Sequence, residues 1–186
     1  MKILIYALTA AVLSFLAAVS ASAQEYPEAP SFSLETADGS ALNLPTDQQG
    51  IGVYLFWASW CPYCRALMPH LQSLEDEYGN TITIYALNFR DQQDPVAYLN
   101  EHGFSFVLLP EADDVAESWD VKGTPGLFIV DHEGRIRFNL YDVLATNPPG
   151  FEALNHTQRA QRRAPFWAAR IRESLDEVMS DPGAAD

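Results

Sequence analysis

The amino-acid sequence predicts an α/β fold: a central mixed sheet flanked by helices, with a β-hairpin ahead of it and an extra helix behind. Three observations lead there. Short β-branched and aromatic runs alternate with stretches of helical spacing, as strands and crossover helices do. The run "GLFIVDHEGRIRFNLY" (126–141) breaks only at the turn Asp131-His132-Glu133-Gly134, so its two strands are antiparallel and the sheet is mixed. Trp167, Ile171, Leu175 and Val178 form an apolar stripe, the docking face of a last helix. With 186 residues, 48% of them hydrophobic, one domain with a sizeable core is expected.

Each element has its own signal. "APSFSLETADGSALNL" (29–44) reads as two short strands joined at Asp38-Gly39, a hairpin. "GVYLFWA" (52–58) is short, apolar and aromatic, which suits a buried central strand. Leu67, Leu71 and Leu74 recur at helical spacing up to Tyr78, and Gly79 closes that helix. "TITIYALNF" (81–89) is another buried strand. "DPVAYLNEHG" (94–103) starts with Asp94 and Pro95 in cap and first-turn positions and stops at Gly103, as helices do. "FSFVLLP" (104–110) reads as a strand and "ADDVAESWDV" (112–121) as a short helix. A loop with Asn147-Pro148-Pro149-Gly150 precedes the last helix, which spans about His156 to Ser180.

The first residues are expected to lie outside the fold. Lys2 is followed by the apolar stretch Ile3 to Val19, then by Ala21-Ser22-Ala23, small residues suited to a cleavage site. This is the layout of a secretory signal peptide over 1–23, with an uncleaved membrane anchor as the competing reading. An exported, periplasmic protein is expected. The formal net charge of −14 argues against a nucleic-acid partner. Arg159, Arg162, Arg163, Arg170 and Arg172 crowd the late helix, either as a solvated face that balances an acidic body or as a docking surface for an acidic partner.

The only two cysteines are Cys61 and Cys64, in "FWASWCPYC" (56–64). A disulfide across so small a loop removes little chain entropy, so a structural staple explains them poorly. Zinc needs about four ligands, and His70, His102, His132 and His156 are scattered, with no second CxxC. Cys61 ends a strand–helix turn and Pro62 opens the helix. Unpaired backbone N–H groups and the helix dipole there favour the thiolate, the species that attacks disulfides. Cys64 lies one turn further on, on the same helix face, placed to attack the mixed disulfide.

At these residues the chain resembles the exported TlpA/ResA-like thiol-disulfide oxidoreductases, on a thioredoxin-like fold. The resemblance covers roughly 29–141 and rests on "FWASWCPYC", Pro69, "GTPGLFIVDHEGRI" (123–136) and the N-terminal hairpin. It implies a cis Thr124–Pro125 bond beside the cysteines, with the Thr124 backbone pairing with a bound substrate strand. The expected site is Cys61 and Cys64 as catalytic residues, with Trp60, Pro62, Tyr63, Thr124 and Pro125 binding substrate. Trp60 is expected as a lid, Phe56 and Trp57 as core, and Pro69 as a helix kink. No cofactor is expected beyond a redox-active Cys61–Cys64 disulfide. The expected partners are exported proteins with cysteine pairs, and a membrane thiol reductant as electron donor. Residues 24–155 would form the thioredoxin-like domain of a monomer, with 156–186 a C-terminal helix and tail packed on it.

The chain also departs from that pattern. Relatives keep a buried acid at one of three places, which here hold Leu55, Leu67 and Gly126. Cys64 is therefore expected to lose its proton without a carboxylate, at a depressed rate. The Pro62-Tyr63 dipeptide matches glutaredoxins, but the surroundings do not. The roughly 60 residues between CxxC and Pro125 leave no room for the inserted helical domain of a DsbA-like oxidase. A peroxiredoxin-like peroxidase would need a single cysteine after a Thr-x-x spacer, which is absent. Reduction of periplasmic disulfides, as in cytochrome c or copper-site maturation, is the expected task. A copper-binding, metallochaperone-like use of the same cysteines is the alternative.

Overall fold

At the centre lies β3 (Ile51–Trp57), seven residues that are all buried. A strand apolar on both faces needs a layer of structure on each side. The computed structural model, which describes residues 26–144 and 150–181, has both layers. The expected signal segment 1–23 and residues Asn147, Pro148 and Pro149 lie outside the described residues.

β3 pairs in parallel with β4 (Ile82–Asn88), and β4 with β5 (Val107–Leu109). On its other side β3 pairs antiparallel with β6 (Gly126–Val130), and β6 with β7 (Ile136–Asn139). The order β5-β4-β3-β6-β7 is the mixed sheet expected. The hairpin, β1 (Phe32–Glu35) and β2 (Ala41–Leu44), stands apart as a two-stranded sheet. The strand expected over 104–110 is shorter, because the Phe104 N–H is taken by Leu99 O at the end of the preceding helix.

Alternation along β3 divides the core in two. Val53, Leu55 and Trp57 face α1 (Pro62–Tyr78), Leu99 of α2 (Pro95–His102) and α4 (His156–Ser180). Tyr54 and Phe56 face α3 (Asp113–Ser118), Trp119 and the hairpin. Trp119 stacks on Tyr54 with centroids 5.0 Å apart.

The helix ends follow the sequence signals. Asp94 caps α2 by accepting Val96 N–H and Ala97 N–H at 2.9 and 3.1 Å, and Gly103 ends it in the left-handed conformation. Asn155 and Gln158 form a capping box on α4. α4 runs through Pro165, at a cost of about 3 kcal/mol or more. Burial of Trp167, Ile171, Leu175 and Val178 outweighs this at about 1.5–3 kcal/mol each.

The late arginines mostly serve the fold. Arg159 donates to Leu154 O and Glu152 O, both at 2.8 Å. Arg163 lies 4.5 Å over the Phe151 ring. Arg170 pairs with Glu173, and Arg172 grips Glu77 of α1 with both terminal nitrogens. Of the two readings open for this cluster, these contacts favour the balancing helix face, with α4 fastened to α1 and to the loop before it.

Candidate active site

β3 delivers the site at its C-terminal end. After Trp57 the chain turns sharply, with Cys61 N–H donating to Ala58 O at 3.1 Å, and enters α1 at Pro62. Cys61 is the N-cap: its backbone is extended (φ −79°, ψ 114°) and its Sγ accepts Cys64 N–H at 3.3 Å. A sulfur stands where a Ser or Asp oxygen stands in most helix caps. Cys61 and Cys64 are free thiols, 2% and 0% exposed.

The two thiols are displaced in opposite directions. Cys61 is lowered to about 6, chiefly by the hydrogen bond from the Cys64 thiol, then by the Thr124 hydroxyl and the Cys64 and Tyr63 N–H groups, against the effect of burial. Cys64 is raised, chiefly by burial, then by its hydrogen bond to Cys61 and by repulsion from the Cys61 charge. A group with a pKa of about 6 is roughly nine-tenths ionised at pH 7. In the reduced protein at neutral pH these opposite shifts favour one thiolate and one thiol.

The structure gathers most of the sequence-predicted residues here. The Thr124–Pro125 bond is cis, and the Thr124 hydroxyl favours the thiolate form of both cysteines. Tyr63, Thr124 and Pro125 line a groove of about 330 Å³ together with Tyr141, Leu144 and Trp167. Tyr63 packs against Trp167 and His156 of α4, with centroids 5.8 and 6.4 Å apart. Trp60 does not line that groove. Its indole N–H donates to Arg90 O at 2.9 Å, and half of the residue is exposed. Phe56 and Trp57 are core residues, as expected.

Positions 55, 67 and 126, where the resemblance would place an acid, hold residues with physical reasons to be there. Leu55 and Leu67 are fully buried within the α1-side core, where a charge would lack a partner. At Gly126 an added Cβ would come within 2.8 Å of the Tyr141 hydroxyl.

Sequence reasoning missed Asp91. Its carboxylate accepts Ser59 N–H at 2.5 Å, the Ser59 hydroxyl at 2.8 Å, and Asn88 and Gln93 N–H groups at 3.1 Å. Arg65 donates to Ser59 O at 2.6 Å. Asp91 thus ties the loop after β4 to the turn that carries Cys61. The available signal was position: Asp91 follows the C-terminal end of a strand parallel to β3, where α/β sheets place their sites.

Residues 27–139 match the AhpC/TSA family. Thioredoxin-like protein YneN of Bacillus subtilis is 32% identical over 119 residues, 61% of this chain and 69% of that protein. Thiol-disulfide oxidoreductase ResA of the same organism is 28% identical over 138 residues, 72% of this chain and 76% of that protein. The thioredoxin domain of a thiol-disulfide oxidoreductase from Bacteroides vulgatus has the same fold, with a TM-score of 0.56 over 79% of this chain and 99% of that one at 19% identity. Given this match and a thiolate–thiol pair at the helix start, the chain belongs to the AhpC/TSA family and is a thioredoxin-fold thiol-disulfide oxidoreductase of the TlpA/ResA type.

Proposed function

We propose that the protein reduces disulfides in exported proteins, with Cys61 attacking and Cys64 resolving. The observation that carries this reading is the opposite displacement of two thiols within one helical turn. The Cys61 thiolate attacks a substrate disulfide, forms a mixed disulfide and expels one substrate sulfur as thiolate. Cys64 then loses its proton and attacks Cys61 Sγ. The Cys61–Cys64 disulfide forms, the second substrate sulfur leaves as a thiolate, and the two substrate thiolates take up the proton lost by Cys64 and one proton from water. The substrate gains two electrons, and a membrane thiol reductant returns the pair to its dithiol state. The Cys61–Cys64 disulfide is the redox group of this cycle.

Trp60, Pro62, Tyr63, Thr124 and Pro125 surround the attacking sulfur in sequence or in space and form the substrate contact surface, with an extended chain pairing to Thr124. The signal segment over 1–23 directs the protein to the periplasm, where it works as a monomer. Cysteine pairs of apocytochrome c or of copper sites are targets of the right chemistry. The excess of acidic residues supports a protein partner over nucleic acid.

The test is capture in the native cell. Cys64→Ala is expected to accumulate mixed disulfides with exported proteins that hold cysteine pairs, and Cys61→Ala to accumulate none. Equal capture by both variants, or capture by neither, contradicts the reading. Copper titration of the reduced protein separates it from a metal-carrying use of the same cysteines.

A further inference from the structure

Tyr141 lies two residues beyond β7 and beyond the family match, which ends at residue 139. Its hydroxyl donates to Gly123 O at 2.6 Å and accepts Gly123 N–H at 3.2 Å. One phenol therefore holds both backbone polar groups of Gly123. Residues 122–125 belong to no helix or strand, so their shape depends on contacts of this kind. The next two residues are Thr124, whose hydroxyl favours the thiolate form of both cysteines, and Pro125.

The phenol is itself well fixed. Asn139 Oδ1 accepts Tyr141 N–H at 3.0 Å, and the ring meets Phe128 edge-on with centroids 6.2 Å apart. Burial pushes its pKa up, so it stays protonated at neutral pH and able to donate. The hydroxyl also fills the space beside residue 126, where a Cβ would lie 2.8 Å from it and 3.2 Å from Val121 Cγ1. Gly126 and Tyr141 fit as a pair, and their fit leaves no room for a carboxylate just after Pro125.

We propose that Tyr141 is a positioning residue for substrate chains: its hydroxyl holds the Gly123–Pro125 wall in the shape that receives a peptide beside Cys61. The proposal rests on the disulfide-exchange reading above. On this proposal a small disulfide meets Cys61 without lying along that wall, whereas a peptide lies along it.

The test uses Tyr141→Phe, which removes one oxygen and keeps the ring. Wild type and variant are compared on a short peptide closed by one disulfide, with dithiothreitol as reductant, and on DTNB in single turnover. The peptide KM is expected to rise about 3- to 10-fold, the net effect of one or two hydrogen bonds. Peptide kcat and the DTNB rate are expected to change less than about twofold. Gly126→Ala is expected to raise KM in the same way, and to add little when combined with Tyr141→Phe. An unchanged KM in Tyr141→Phe overturns the proposal, as does an equal loss on DTNB and on peptide. Wild-type turnover of the peptide is the separate check on disulfide exchange itself. If it is absent that reading falls, and if it is present with an unaltered KM in the variant only the role of Tyr141 falls.

Discussion

Replacing Cys64 by Ala removes the largest single cause of the acidity of Cys61. A hydrogen bond to a charged group contributes about 1.5–3 kcal/mol, and about 1.4 kcal/mol corresponds to one pH unit in a pKa. Cys61 is therefore expected to rise from about 6 to roughly 7–8. It does not return to its ordinary value of 9.0, because the Thr124 hydroxyl and the backbone N–H groups of residues 63 and 64 still stabilise the thiolate. The assay is the rate of iodoacetamide alkylation against pH, with ultraviolet thiolate absorbance as a second readout. Cys64→Ser places a hydroxyl donor in the same position and is expected to hold the midpoint nearer to 6. A midpoint that stays at about 6 in Cys64→Ala refutes this reasoning, and assigns the acidity to the Thr124 hydroxyl and the helix start.

Three further outcomes follow from the same geometry. The reduction potential is expected to fall by about 59 mV per pH unit below pH 6 and by about 30 mV per unit from pH 6 to 9, since the reduced pair then holds one proton instead of two. Titration against dithiothreitol buffers measures it, and a constant slope across pH 6 contradicts a Cys61 thiolate. Because burial, the chief cause of the rise at Cys64, persists in the mixed disulfide and no carboxylate stands at 55, 67 or 126, resolution is expected to accelerate with pH, approaching about tenfold per unit, between 6 and 9; a flat stopped-flow profile would reveal a base at the thiol. Asp91→Ala leaves the N–H of fully buried Ser59 without its acceptor, at a cost of about 1–3 kcal/mol, read as a lower urea midpoint at unchanged slope.

The parts legible in the sequence are those set by neighbours along the chain. β3 announces itself by seven residues apolar on both faces, and α1 by its leucine spacing and the closing Gly79. The cysteine pair with Pro62 shows the helix start, and with it the direction in which Cys61 titrates. The parts not legible depend on contacts between distant residues. Asp91 meets Ser59 from 32 positions away, and Tyr141 meets Gly123 from 18. Arg172 could be read as a docking charge because its partner, Glu77, lies 95 positions earlier. The 104–110 run reads as one strand because only Ser105 interrupts its apolar residues, while the turn at Gly103 claims the Phe104 N–H. Trp60 carries no pattern that distinguishes a lid from a side chain tied to the Arg90 carbonyl, as it is here.

The central claim is that Cys61 attacks a disulfide and Cys64 releases the product. Reduced wild type, Cys64→Ala and Cys61→Ala are each mixed with a peptide disulfide, and the linkages are located by peptide mapping and mass spectrometry. The account predicts one peptide half joined to Cys61 in Cys64→Ala, no adduct on Cys61→Ala over the same time, and a closed Cys61–Cys64 disulfide with free peptide thiols in wild type. An adduct on Cys64 of Cys61→Ala at a comparable rate, or wild type halted at the mixed disulfide, would contradict it.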